Sequence, residues 1–251
     1  MVAGLVSSIT PVYNSERFLA QTVRAIIQQT YKNIEIILVD DCSSDHSRNI
    51  IETFAKEHSN IRYIFLPRNE GAAVARNYAL NAVNGQYVAF CDSDDIWKPE
   101  KIEKEIRWMQ KRDADFVFTA IEMIDENGTV IKEKRNVREY VDYNYLLKNT
   151  MIATSSVLLD IGRIGTLQMP NIHSGQDYAT WLMLLRNGRI AYGLDEALVQ
   201  YRKRGNSLSS NKFANPKKVW RIQTELEHIS PFNALLNVGF YAWNGVKKHF
   251  C

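Results

Sequence analysis

The chain has 251 residues, of which 45% are hydrophobic and 24% are charged, a composition typical of one folded globular domain rather than of a disordered protein. The formal net charge of +3 is too small to indicate a nucleic-acid partner. Cys42, Cys91 and Cys251 have neither the spacing of a disulfide framework nor that of a metal site. Because the sequence shows no signal-peptide pattern and no run of about 18 apolar residues, we expect a cytoplasmic protein without a membrane span.

Strand and helix patterns alternate through the first half of the chain. The predicted strands are 5–10, 34–39, 61–66 and 87–91, and the predicted helices are 18–29, 48–56 and 72–82. Because the strands are apolar on both faces, they are typical of a buried, mostly parallel sheet with helices on both sides. The first half therefore predicts an α/β, Rossmann-like fold.

The second half mixes the two patterns without strict alternation. After Pro99 we predict a helix to about Arg112, a strand at 116–124, a hairpin turn at 126–128 that leads to 130–132, a strand at 154–159, a helix at 178–185, a strand at 197–201 and two helices after Pro216. This order is typical of a mixed α+β half followed by C-terminal helices.

Three carboxylates, Asp92, Asp94 and Asp95, follow the fourth predicted strand within four residues. Like charges this close raise one another's pKa, so a fold usually neutralises them with a cation or with hydrogen-bond donors. Oxygen ligands favour Mg²⁺ or Mn²⁺, which can bridge carboxylates and a diphosphate. A solvated acidic turn is the alternative for this cluster taken alone.

A second acidic pair, Asp40 and Asp41, ends the second predicted strand. One carboxylate could accept hydrogen bonds from a nucleotide's base or ribose. The alternative is a cluster that caps the next helix, with Ser43 or Ser44 as the cap. Both interpretations can hold together, with a serine capping the helix and Asp41 facing the ligand. Residues 11–16 lack the glycine pattern of a dinucleotide or Walker site.

The pattern alone assigns no single role to two further residues. Arg76 lies on a helix of small residues and could contact phosphate or base, or it could lie on the solvated side. Asp177 begins an amphipathic helix, where an acid in the first turn commonly serves only to stabilise the helix. The five histidines show no paired spacing, which argues against a histidine metal site.

The C-terminal fifth is basic, and this favours an anionic partner. Its basic residues are Arg202, Lys203, Arg204, Lys212, Lys217, Lys218, Arg221, Lys247 and Lys248. The segment 231–250 mixes large apolar side chains with the last two lysines, so it could lie in a membrane interface or pack as a closing helix.

Four motifs, at 11–14, 40–43, 69–77 and 92–95, occur in the order and spacing found in family 2 glycosyltransferases, and the chain closely resembles that family. The resemblance is strong over residues 5–120 and continues more weakly to Ser209. It implies a GT-A fold with three parts. These are a nucleotide-sugar-binding half (1–120), an acceptor-binding half of the same domain (121–215) and a C-terminal helical extension (216–251).

The resemblance also implies residue roles. The residues expected to bind the nucleotide are Pro11, Tyr13, Asn14, Asp41, Arg76, Asp92 and Ser93. Asp94 would be the direct ligand of Mn²⁺ or Mg²⁺, with Asp92 nearer the ribose or a metal-bound water and Asp95 in support. Asp177 would be the catalytic base.

The chain departs from the family pattern at two positions. Gln176 stands where relatives carry Glu beside the base, and Arg204 stands where many carry His after the Tyr201-Arg202 pair. We expect Arg202, Arg204, Asp95 and Gln176 to lie at the diphosphate or the acceptor. Our hypothesis is that Arg204 contacts the diphosphate and takes over part of the metal's role.

The expected reaction is the inverting, metal-dependent transfer of one sugar per binding event from a UDP-sugar to an acceptor hydroxyl. The processive Gln-x-x-Arg-Trp motif is missing. The acceptor would be a saccharide or a lipid-linked saccharide. If the segment 231–250 lies in a membrane interface, a lipid-linked saccharide at the inner face of the membrane is the expected acceptor, as in bacterial relatives that build surface polysaccharides. The alternatives are a catalytically silent sugar-nucleotide binder, to which Gln176 and Arg204 point, and, less favoured, a nucleotidyltransferase.

Overall fold

A computed structural model describes residues 1–204 and 214–250, with side chains described for 1–204 and 216–244. Within these residues, ten strands form one sheet. The strands are β1 (Val2–Val12), β2 (Ile34–Asp40), β3 (Ile61–Phe65), β4 (Gly85–Phe90), β5 (Ile96–Trp97), β6 (Phe116–Ile124), β7 (Val130–Arg135), β8 (Tyr140–Val141), β9 (Val157–Asp160) and β10 (Ala191–Arg202).

Helices connect the strands and continue beyond them. They are α1 (Leu19–Ile27), α2 (Ser47–Glu57), α3 (Ala72–Leu80), α4 (Lys101–Arg112), α5 (Tyr143–Leu147), α6 (Ile161–Ile164), α7 (Gln176–Leu185), α8 (Ala214–Arg221) and α9 (Pro231–Phe250). A 3₁₀ turn, Thr154–Ser156, precedes β9, and a π-helical turn, Ile222–Leu226, continues α8.

The strand order is β3-β2-β1-β4-β9-β6-β10-β5, with β7 paired to β6 and β8 to β10. The first four strands in this order are parallel. β9 runs antiparallel to both β4 and β6, while β6 and β10 are parallel. The structure thus confirms the predicted Rossmann-like parallel sheet with a mixed α+β second half, joined in one continuous sheet.

Neighbouring residues of each strand point to opposite faces of the sheet, and each face is buried under its own core. In β2, Ile37 and Val39 enter one core with Trp181 of α7, whereas Ile36 and Leu38 enter the other with Leu19 of α1. This arrangement confirms the prediction of helices on both faces.

The prediction of a strand over 154–159 is wrong in its first half. Thr154–Ser156 forms a 3₁₀ turn, in which the Ser156 hydroxyl donates to the Ala153 carbonyl at 2.7 Å. Short hydroxyl side chains bond locally to the backbone and compete with strand pairing. The last predicted strand, 197–201, is the end of the longer β10, and β5 is a strand the sequence pattern did not indicate.

The C-terminal prediction of two helical stretches corresponds to α8 and α9. Among the described residues, no helix combines the length and apolar character needed to cross a bilayer. Cys42 and Cys91 are free thiols, and Cys251 lies outside the described residues.

Candidate active site

Three polar loops meet at the carboxyl edge of the parallel strands. Val12 of β1 lies beside Asp40 of β2, and the end of β4 lies on the other side of β1. Across the loops, the Asn14 amide donates to Ser43 Oγ at 3.0 Å, and the Ser15 and Ser93 hydroxyls lie 2.7 Å apart. The structure therefore brings the motifs at 11–14, 40–43 and 92–95 into one crevice.

Asp41 is 3% exposed and holds the start of α3 in place. Its Oδ1 accepts from the Glu70 amide and its Oδ2 from the Gly71 amide, both at 2.8 Å. Gly71 has a φ of 94°, a conformation that glycine adopts readily. The carboxylate thus fixes the helix that carries Arg76.

The prediction that Ser43 or Ser44 caps α2 is wrong. The residue before α2 is His46, which makes no side-chain capping hydrogen bond, and Asp45 Oδ1 accepts from the Ser47 amide at 2.9 Å. Ser43 instead accepts from Asn14, and the Ser44 amide donates to Asn14 Oδ1 at 2.8 Å. Asn14 has a φ of 46°, a conformation that asparagine tolerates better than most residues, and it ties the first loop to the second.

Pro11 and Tyr13 border the same crevice. Pro11 is half-buried within β1, beside Val39 of β2. Tyr13 follows the end of that strand and is 50% exposed, so its ring is accessible to a ligand.

Arg76 and Asp92 form a short ion pair, with 2.5 Å between Arg76 Nη2 and Asp92 Oδ1. Arg76 is 4% exposed, and its Nε and Nη1 are buried without a hydrogen-bond partner among the described residues. Buried donors are nearly always satisfied, so these two nitrogens are available to bond an anion.

Asp94 pairs with the arginine that stands where a histidine was expected. Arg204 Nε lies 2.7 Å from Asp94 Oδ2, and 36% of the Arg204 side chain remains exposed. Burial raises the pKa of the Asp94 carboxyl and the nearby Asp92 carboxylate raises it further, while Arg204 opposes both. Residues 205–209, the remainder of this motif, lie outside the described residues.

Asp95 is buried, which agrees with the expectation that it supports Asp94 and corrects the expectation that it lies at the diphosphate or the acceptor. It is 1% exposed. Its Oδ2 accepts from the Ser155 hydroxyl at 2.5 Å and its Oδ1 from the Arg202 amide at 2.9 Å. Burial raises the pKa of Asp95 well above its usual range, and the Asp94 and Asp92 carboxylates add to the rise. Its place is beneath the acidic turn, which it supports.

Arg202 is likewise an internal support rather than an exposed ligand, a second correction. It is 4% exposed, and its guanidinium donates to the Asp94 carbonyl at 2.9 Å, the Asp125 carbonyl at 3.0 Å and Gln21 Oε1 at 2.9 Å. It also lies 4.6 Å above the Phe18 ring. Arg202 therefore binds the acidic turn to α1 and to the loop after β6.

Asp177 lies at the first turn of α7, close to the acidic turn. Its Oδ2 accepts from the Thr154 hydroxyl at 3.1 Å. Ser155, which follows Thr154 in the chain, accepts from the Asp92 amide at 3.0 Å. Gln176 is partly buried, and its Oε1 is unpartnered among the described residues. Two adjacent hydroxyl residues, Thr154 and Ser155, thus connect Asp177 to the acidic turn.

Thr154 and Ser155 are the site residues that sequence reasoning missed. The chain shows them only as two small polar residues at the start of an apolar run. Their importance comes from contacts with Asp92, Asp95 and Asp177, which are distant in sequence, and one sequence contains no signal of such contacts.

The donor set at Asp92 and Asp94 fits a hard divalent cation, because both ligands are carboxylates and both remain partly accessible, at 31% and 15% side-chain exposure. Within the described part of the chain, no group of three acidic, histidine or cysteine side chains is placed to hold a metal. A cation here would need further ligands from water or from a bound diphosphate, as Mg²⁺ usually does.

A mostly parallel sheet with an acidic Asp92-Ser93-Asp94 turn (the DxD turn) and a second acidic loop at its carboxyl edge defines a nucleotide-sugar glycosyltransferase of the GT-A type. Solved structures support the fold. Staphylococcus aureus TarS (residues 1–349, in complex with UDP-GlcNAc) matches with a TM-score of 0.74 at 19% identity, over 95% of this chain and 71% of that one. The mannosyltransferase PcManGT from Pyrobaculum calidifontis, in complex with GDP-Man and Mn²⁺, matches with a TM-score of 0.69 at 17% identity, over 94% and 69%.

The family model for glycosyl transferase family 2 matches residues 7–165, and the chain belongs to this family. It is 43% identical to TuaG of Bacillus subtilis (strain 168), a glycosyltransferase named for teichuronic acid biosynthesis, over 97% of each chain. It is 35% identical to WfgD of Escherichia coli, a UDP-Glc:alpha-D-GlcNAc-diphosphoundecaprenol beta-1,3-glucosyltransferase, over 98% of this chain and 95% of that one.

The substitution Arg202→Lys tests the internal role of this arginine. A lysine keeps the charge but cannot supply the planar fork, so several acceptors lose their donors. We expect the free energy of unfolding in urea to fall by about 2–4 kcal/mol. The exposed Arg107, which forms a surface pair with Glu103, provides the control Arg107→Lys, which should change stability by less than about 0.5 kcal/mol. Unchanged stability of Arg202→Lys would show that this network is not structural.

Proposed function

We propose that the enzyme transfers one sugar, with inversion, from a UDP-sugar to a hydroxyl of a lipid-linked saccharide at the inner face of the cell membrane. The observation that carries this proposal is the connection of Asp177 to the DxD turn through Thr154 and Ser155. That connection supports a base role for Asp177 near the proposed diphosphate site. The name of WfgD, a UDP-glucose enzyme with a diphosphoundecaprenol-linked acceptor, supports the donor and the acceptor class.

For the donor, we propose that the nucleotide lies across the crevice, with Asp41 and Tyr13 near the base and Arg76 at the ribose or phosphates. The two unpartnered nitrogens of Arg76 support this role, because they lie buried next to Asp92. Asp94 would hold Mn²⁺ or Mg²⁺ directly, and Asp92 would be the second carboxylate of the site. When bound, the cation would stabilise the negative charge that develops on the leaving diphosphate.

For the acceptor, we propose that Asp177 takes the proton of the attacking hydroxyl. A carboxylate can do so from the face opposite the leaving group, and a single displacement inverts the anomeric centre. Thr154 donates to Asp177 Oδ2, and the Tyr178 amide donates to Oδ1 at 2.8 Å. These two bonds fix the orientation of the carboxylate.

Substitution of the base gives the sharpest test of the reaction. With a UDP-sugar, Mn²⁺ and a GlcNAc-diphosphate lipid, the wild-type enzyme should release UDP in step with the glycosylated lipid. Asp177→Asn should keep the UDP-sugar affinity, measured by calorimetry, and lose about 10²–10⁴-fold in turnover. Near-normal turnover in this variant would exclude Asp177 as the base. Wild-type binding without UDP release would identify a silent binder.

Arg204 is our candidate for a residue that supplements the metal. Its ion pair with Asp94 places the guanidinium at the acidic turn, and its partial exposure leaves it accessible to a ligand. Unlike a histidine, an arginine stays protonated at every relevant pH and offers several donors to phosphate oxygens. We propose that it contacts the donor's diphosphate.

Removing this cation should weaken the donor complex. For Arg204→Ala we expect the KM for the UDP-sugar to rise about 10–100-fold, the usual size of one lost charge-assisted hydrogen bond. Arg204→Lys keeps the charge and should lose less. Steady-state kinetics at saturating Mn²⁺ measures both variants, and an Arg204→Ala enzyme with unchanged KM and turnover would refute the role.

Helix α9 supports the proposed contact with a membrane surface. Its large apolar side chains that are 48–70% exposed are Phe232, Leu235, Leu236, Phe240 and Trp243. Their spacing of three and four residues places them on one face of the helix. The opposite face packs inward, where Ala234 is fully buried and Asn237 donates to Gln223 Oε1 at 3.0 Å. An outward apolar face on a helix that is anchored to the fold suits a lipid interface. The side chains of Lys247 and Lys248, expected to assist, lie outside the described residues.

Vesicle flotation tests this surface without removing the packed face of α9. The variant Phe232→Ser/Leu235→Ser should lower binding to anionic vesicles by at least about tenfold, because two large apolar side chains no longer enter the interface. The matched control is Tyr63→Ser/Tyr78→Ser, which removes two side chains that are each 44% exposed elsewhere. Equal flotation of both variants and the wild type would exclude α9 as the membrane contact.

A further inference from the structure

A second concave site lies beyond Asp177, between α8 and the segment that precedes α7. The cavity has a volume of about 270 Å³. Six of its lining residues are Ser174, Lys217, Lys218, Arg221, Ile222 and Leu226. Three cations therefore share one wall with apolar side chains, a combination that suits a ligand with both anionic and hydrocarbon parts.

The charge of this pocket is only partly compensated. Arg221 Nε lies 2.7 Å from Glu225, which also lines the cavity. Lys217 and Lys218 have no ion pair among the described residues. Two uncompensated ammonium groups in a concave apolar setting attract phosphate oxygens more strongly than isolated surface lysines do.

The pocket is joined to the candidate base by close packing. Gly175 has a φ of 81°, and a Cβ there would lie 2.8 Å from Ile222 Cδ1 and 2.9 Å from Lys218 Cδ. The pocket residue Lys218 thus lies directly against the turn that starts α7, and Asp177 is only two residues further along.

These contacts arrange the DxD turn, Asp177 and the basic pocket in a single series. The DxD turn contacts Ser155, the neighbouring Thr154 contacts Asp177, and the turn before Asp177 contacts α8. The donor's diphosphate is assigned to the acidic end of this series. The basic pocket at the opposite end is available to the acceptor.

We propose that the basic pocket holds the diphosphate of the lipid-linked acceptor, with Lys217 and Lys218 as its ligands. This inference rests on the proposed function, because it requires the acceptor sugar at Asp177 to be joined to a diphosphate. The sugar then lies between the base and the pocket, and the apolar wall receives the start of the lipid chain. Lys217 and Lys218 thereby select diphosphate-linked acceptors over neutral glycosides.

The test compares one sugar on two carriers. In Lys217→Gln/Lys218→Gln we expect the KM for GlcNAc-diphosphate on a short polyprenyl chain to rise about tenfold or more. The KM for the UDP-sugar and for the same sugar on a neutral alkyl glycoside should not change. Lys217→Arg/Lys218→Arg should retain the affinity for the diphosphate acceptor. The control Lys56→Gln/Lys111→Gln removes two exposed lysines of α2 and α4 and should leave all three constants unchanged.

Each other result contradicts the proposal. Equal losses on both acceptors would indicate a structural effect, and a rise in the UDP-sugar KM would assign the pocket to the donor. Calorimetry with the diphosphate lipid alone separates this inference from the proposed reaction, because it requires no turnover. Wild-type binding that is lost in the double variant supports the pocket even if no transfer occurs, and absence of wild-type binding overturns it.

Discussion

The active-site end of this fold depends on the compensation of three carboxylates within residues 92–95. Two of the three charges are largely buried, and without counter-charges or donors the turn could not hold this conformation. The compensation comes from far along the chain. Arg76 on α3 pairs with the first carboxylate, Arg204 pairs with the second, and the Arg202 amide bonds the third. These charge-compensating contacts thus link α3 and the acidic turn to the end of β10.

The contacts that stabilise the acidic turn also determine the position of the candidate base, Asp177. Ser155 bonds both Asp92 and Asp95, and the adjacent Thr154 bonds Asp177, so one short 3₁₀ turn sets the separation between the acidic turn and the candidate base. A rigid connection matters because general-base catalysis requires the carboxylate within hydrogen-bond reach of the attacking hydroxyl. The irregular turn that replaces a predicted strand is therefore what supports the site.

The sequence predicted the features that follow from local pattern. Alternating strands and helices, and polar residues at strand ends, are sufficient to predict a parallel sheet with a crevice at its carboxyl edge. It could not predict the direction in which a polar side chain points. Asp95 and Arg202 were expected at a ligand, yet both turn inward, and neither Ser43 nor Ser44 caps α2, because both bond Asn14 instead. These outcomes depend on partners distant in sequence, which residue type and spacing do not reveal.

The two ends of the proposed site differ in the charge they offer a ligand. At the DxD end, an anionic diphosphate meets carboxylates, so binding there is repulsive unless a cation or an arginine intervenes. At the α8 end, an anionic diphosphate meets Lys217 and Lys218 and needs no added cation. Donor binding should therefore depend on Arg76, on Arg204 and on any bound divalent cation, while acceptor binding should depend chiefly on ionic strength. This difference would keep two chemically similar diphosphates in separate places, with Asp177 between them.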